Sequence, residues 1–182
     1  MPFYLKCRDI SKEIHKIHSV LIVPCRFCPA ASLAVREKKF YIELFSKFLR
    51  TAVYESYIQE LKSYLENNGI RAEVFGNKLP HHFIICMWPL GPRKDLAKHA
   101  AEYDAVIVLG CDIAAQIAQD CLESSNCRII PGMEVEGVMS VIPSFQFPFK
   151  ISLEMSRVTR VLEYPAEDIP SHSIPKSAPE RI

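Results

Sequence analysis

The apolar positions of this chain fall in blocks whose period changes along the sequence. Ile10, Ile14 and Ile17 recur at helical spacing among Lys12, Glu13, His15 and Lys16, which predicts a short amphipathic helix over 9–18. His15 and His18 fall three apart there and read as solvated helix-face histidines, since no carboxylate partners them. Ser19-Val20-Leu21-Ile22-Val23-Pro24 is a continuous, β-branched apolar run, the pattern of a central strand covered on both faces. Pro29 then opens a helix through Glu37. Two more helical faces follow: Phe40, Leu44, Phe45 and Phe48, then Tyr54, Tyr57, Ile58, Leu61 and Leu65, the second stopped at Asn67-Asn68-Gly69.

Ile70 to Phe75 alternates as a second strand, Gly76-Asn77 makes a turn, and the apolar run His82 to Met87 predicts a third strand. A loop over 89–92 leads to a short helix over 94–103. Asp104-Ala105-Val106-Ile107-Val108-Leu109-Gly110 is the second strong buried strand. After Cys111, Asp112 is expected to cap a helix with Ile113, Ala114, Ile117, Ala118, Cys121 and Leu122 on one face. A short strand runs from Cys127 to Pro131. Met133, Val135, Gly137 and Met139 alternate against Glu134, Glu136 and Val138, and Phe145, Phe147, Phe149, Ile151 and Leu153 alternate again, which predicts a terminal hairpin.

Strands alternating with helices predict an α/β fold: a doubly wound, mostly parallel sheet with helices on both faces, Rossmann-like or flavodoxin-like, with a C-terminal hairpin. Residues 1–163 form one such domain, and 164–182, with Pro165, Pro170, Pro175 and Pro179 among serines and charges, form an extended or disordered tail.

Composition narrows the function classes. A net charge of +1 gives no electrostatic reason for nucleic acid or an anionic membrane. No apolar run reaches the roughly 18 residues of a membrane span, and residues 1–10 hold no signal core, so a cytoplasmic protein is expected. The aromatic helical faces and the proline-rich tail point to a protein partner, with a homo-oligomer as one form of it.

The candidate chemistry is in the thiols. Seven cysteines stand at 7, 25, 28, 86, 111, 121 and 127. An odd number with no secretion signal disfavours a disulfide framework and favours metal binding or thiol chemistry. Cys25 and Cys28 form a CxxC pair after the first strong strand; Cys111 follows the second. If those strands are neighbours, Cys25, Cys28 and Cys111 converge on one sheet edge, where open α/β sheets bind ligands. Cys28 and Cys111 at helix N-termini should ionise more readily. Cys86, His81, His82 or an external group would supply a fourth ligand. An iron–sulfur cluster is the first expectation and zinc the second, in redox metabolism or in support of a larger metalloenzyme.

Strand, CxxC, helix resembles the local arrangement of thioredoxin and glutaredoxin folds, and the run from Lys78 to Ile85 resembles their proline-then-strand segment facing the dithiol. That resemblance implies a dithiol–disulfide oxidoreductase using Cys25 and Cys28. The long helical stretch between the two segments and the unit after residue 104 lie outside that compact fold. A third possibility is a non-catalytic subunit or assembly factor. Cys121 reads as core, Cys127 lies at the wrong strand end, and Cys7 has no evident context. Glu134 and Glu136 read as a solvated strand face, Arg26 and Arg93 as surface charges or anion ligands, and Trp88 as packing or a pocket wall. No glycine-rich nucleotide motif is present. The sequence names no reaction.

Overall fold

A computed structural model describes residues 2–38, 41–43, 51–76, 84–123, 125–146 and 150–160. Two four-stranded sheets organise them. Four strands make the parallel sheet: β2 (Ser19–Pro24), β4 (Arg71–Val74), β5 (Ala105–Leu109) and β6 (Arg128–Pro131), in the order β4-β2-β5-β6. Val20 to Pro24 and all of β5 are buried, as uninterrupted apolar strands in the middle of a parallel sheet must be. Pro24 pairs with Leu109 at the carboxyl ends. Because β4 lies on one side of β2 and β5 on the other, the strand order reverses between β2 and β5.

Parallel neighbours need crossovers. Helices α1 (Cys28–Arg36) and α2 (Ala52–Asn67) lie between β2 and β4 in sequence, α3 (Leu90–Ala100) between β4 and β5, and α4 (Asp112–Cys121) between β5 and β6. They pack in pairs, α1 on α2 and α3 on α4.

The second sheet corrects the expectation of one mostly parallel sheet. It is antiparallel, in the order β1-β7-β8-β3, from β1 (Phe3–Cys7), β3 (Tyr41–Glu43), β7 (Met133–Gln146) and β8 (Lys150–Arg160). The expected hairpin, β7 with β8, is its centre. β1 has only Tyr4 and Leu5 buried, and it becomes a strand by pairing with β7, far off in sequence. Tyr4, Met139 and Met155 of this sheet close on Ala31 and Ala34 of α1, while Ala30 of the same helix joins the core of the parallel sheet. α1 is therefore a small-residue spacer between the two sheets.

Four further expectations change. Residues 11–16 form turns rather than a helix: Ile10 and Ile14 are buried as predicted, but Lys16 adopts φ 67°, which breaks the helical path before β2. The segment around Cys86 is one 3₁₀ turn, Ile85–Met87, not a strand; it is apolar because Ile85 and Trp88 are buried within the main core. α3 begins at Leu90, so Pro92 falls in its first turn, where its missing N–H costs nothing. In the aromatic stretch before α2, Tyr41–Glu43 is a strand; Phe40, Leu44, Phe45 and Phe48 lie outside the described residues, as do 164–182.

Candidate functional site

The carboxyl ends of β2 and β5 are joined by a hydrogen bond from the Cys25 N–H to the Leu109 carbonyl, 2.9 Å. Gly110, the next residue, has no Cβ to spare: one built there would stand 2.7 Å from the Ala114 Cβ and 3.3 Å from the Cys25 Cβ. Glycine at this position lets strand, helix and Cys25 pack against one another. The chain then passes through Cys111, the N-cap of α4, with no side-chain cap bond. Asp112, expected as the cap, is the first residue of the helix. Cys28 is the first residue of α1, with Pro29 behind it. Cys86 sits in the 3₁₀ turn, which packs on α4.

Three of the four candidate thiols are raised by burial first and then by neighbouring thiols. Burial pushes the Cys25 thiol up to about 11, against the pull of the Ile85 and Phe27 N–H groups, and Cys86 and Cys111 add to the rise. Burial pushes Cys28 up to about 12, against the Phe3 N–H, with Cys25, Cys111 and Cys86 adding to it. The Cys86 thiol is raised by burial and then by Cys111. The expected lowering of Cys28 by the helix N-terminus is thus reversed: desolvation of the thiolate outweighs the dipole. Cys25 and Cys111 are buried, Cys28 half-buried and Cys86 exposed, and all seven cysteines are free thiols.

Cys25 and Cys111 thus follow the adjoining carboxyl ends of β2 and β5, Cys28 opens α1 three residues after Cys25, and the turn that carries Cys86 packs on α4. Their donor chemistry fits a soft metal. Their spacing does not hold a single ion as it stands: among the described residues, no three cysteine, histidine, aspartate or glutamate side chains are grouped closely enough for that. His81 and His82 lie outside the described residues.

The chain matches no family model, no curated protein and no solved structure. What it does must be read from its own residues.

Several of those have prosaic partners. Arg26, inside the CxxC loop, is paired with Glu55 of α2, and the Arg93 Nε donates to the Trp88 carbonyl. Trp88 packs on Phe75 with ring centroids 5.9 Å apart. Glu134 pairs with Lys6, and Glu136 with Arg36 and Arg160, which makes them a salt-bridged strand face. Cys7 is exposed at the end of β1, and the Tyr57 phenol of α2 is raised by burial first and then by Cys7. Cys121 and Cys127 are half-buried and pack against the main core.

Sequence reasoning passed over the residues that hold the site. The Tyr54 hydroxyl, wholly buried, donates to the Leu109 carbonyl at 3.2 Å. Ser32 of α1, also 0 % exposed, accepts the Leu5 N–H at 2.9 Å and donates to the Cys28 carbonyl at 2.8 Å. Two signals pointed this way: a tyrosine on an apolar helical face needs a partner for its hydroxyl, and a serine inside a run of small apolar residues needs one for its own.

Proposed function

We propose that this protein carries an iron–sulfur cluster ligated by Cys25, Cys28 and Cys111, with Cys86 as fourth ligand, and serves redox metabolism or assists a larger metalloenzyme. The observation that supports it most is the hydrogen bond from Cys25 to Leu109: two neighbouring parallel strands end side by side, each running into a cysteine and a helix start. If the parallel sheet is read as doubly wound, this is the crevice at the reversal of strand order where such sheets bind ligands.

The thiols' mutual influence bears on the choice of group. In a cluster each thiolate binds its own iron, so the sulfurs are spread more widely than around one ion. The rise of Cys25 under Cys86 and Cys111, and of Cys28 under Cys25, Cys111 and Cys86, supports reading the four thiols as one ligand set. The same shifts weigh against the dithiol reading, because an attacking thiol works best with a pKa near ambient pH. A bound metal reverses that penalty by deprotonating the thiols it holds. Met87, Leu90 and Ile113, large apolar side chains left exposed on the 3₁₀ turn and the first turns of α3 and α4, support a protein partner at this edge. α2 contributes less to such a surface than its sequence implies, since Tyr54, Ile58 and Leu65 face the core.

Isolation of the full-length protein without oxygen, followed by iron, acid-labile sulfide and zinc analysis and a visible spectrum, tests the proposal. A brown protein with iron and sulfide, bleached by Cys25→Ser or Cys28→Ser and unchanged by Cys127→Ser, is expected. A colourless protein with a reducible Cys25–Cys28 disulfide would establish the dithiol enzyme instead. Metal-free, inert thiols would leave the non-catalytic subunit.

A further inference from the structure

The Leu109 carbonyl accepts two hydrogen bonds. One comes from the Cys25 N–H at 2.9 Å and the other from the Tyr54 hydroxyl at 3.2 Å. Tyr54 lies in the first turn of α2, whose N-cap Thr51 accepts the Tyr54 N–H through its side chain. The next residue, Glu55, holds Arg26, and the Arg26 side chain is only 15 % exposed. One helical turn thus grips both halves of the thiol site: the end of β5 that leads into Cys111, and the loop that spans Cys25 and Cys28.

Neither contact is what burial or helix formation alone requires. A phenylalanine would fill the Tyr54 space without bringing a hydroxyl that must be satisfied. An acid in a first turn is favoured by the helix dipole wherever it points, yet Glu55 is turned onto the one arginine of the CxxC loop. The two contacts fix the two halves of the site relative to one another, so the loss of either one loosens their separation.

We infer that Tyr54 and Glu55 are positioning residues, which set the separation between the Cys25–Cys28 loop and Cys111 without touching the bound group. This inference rests on reading the four thiols as one ligand set, and its test lets the two fail separately.

The metal-free, full-length protein is titrated with Cd²⁺, read by thiolate-to-cadmium absorption, while the alkylation of each cysteine is timed by mass spectrometry. Tyr54→Phe and Glu55→Gln are each expected to weaken Cd²⁺ binding about tenfold, the scale of one hydrogen bond lost in a water-poor site. Each should also speed alkylation of Cys25, Cys28 and Cys111 while Cys121 and Cys127 react at the wild-type rate. Arg26→Lys keeps the charge but loses the planar fork, and should fall between wild type and Glu55→Gln. Tyr64→Phe, at an exposed position of the same helix, should leave both readouts unchanged. Acceleration shared by all these cysteines would mean general loosening and would overturn the positioning role, as would wild-type behaviour of both variants. If the wild type takes up no Cd²⁺, the ligand-set reading falls, and the alkylation pattern alone decides the role of Tyr54 and Glu55.

Discussion

Cys25 and Cys28 are thiols held against their own ionisation. In the unfolded chain they lose their protons near 9.0; in the folded protein burial moves that to about 11 and about 12. The folded state therefore keeps protons that the unfolded state gives up. Stability from this source is complete below pH 9 and is lost as pH rises toward 11 and 12. The urea midpoint of the metal-free protein should fall over that range, and a Cys25→Ala/Cys28→Ala variant should fall less steeply. Equal slopes would show that these thiols are not desolvated. The CxxC spacing was legible in the sequence; the sign of the shift was not. A cysteine at a helix start suggests an anion-friendly dipole, and only the packing of Cys25 and Cys28 against β1, β5 and the 3₁₀ turn shows that burial outweighs it.

At the scale of elements, α1 carries the connection between the two sheets. Its Ala30, Ala31 and Ala34 admit close approach on both sides, and Ser32 ties it to β1 through the Leu5 N–H. Ser32→Ala would leave that N–H buried without a partner, at a cost of about 1–3 kcal/mol. Melting temperature should drop by a few to about 10 °C, whereas Ser63→Ala, exposed on α2, should leave it unchanged. An unaltered melting temperature in Ser32→Ala would mean that α1 and β1 do not depend on this bond. The strands β2 and β5 could be read from sequence because each is an unbroken apolar run buried on both faces. The segments 11–16 and 85–87 could not, because three isoleucines at helical spacing, or a short apolar run, serve a single buried turn as well as a helix or strand.

For the molecule as a whole, the parallel sheet followed from local patterns, while the antiparallel sheet did not. Its order β1-β7-β8-β3 joins residues 3–7 and 41–43 to residues 133–160, and such pairings leave only short alternations in any one segment. The placement of Cys25 and Cys111 at neighbouring strand ends was legible for the opposite reason. Each part of that placement is local — a strand end, a cysteine, a helix start — and its long-range requirement, that β2 and β5 be neighbours, is a common outcome of parallel topology. What the sequence withheld was the support around it: Tyr54, Glu55 and Ser32 act through partners on other elements.

The central claim is that Cys111, 83 residues beyond Cys28 in sequence, belongs to the same ligand set as the CxxC pair. The most direct measurement is the iron and sulfide content per chain of Cys111→Ser, isolated without oxygen beside the wild type and Cys127→Ser. Loss of iron and sulfide in Cys111→Ser alone is the result predicted here; wild-type content in Cys111→Ser, or no iron in any of the three proteins, would contradict it.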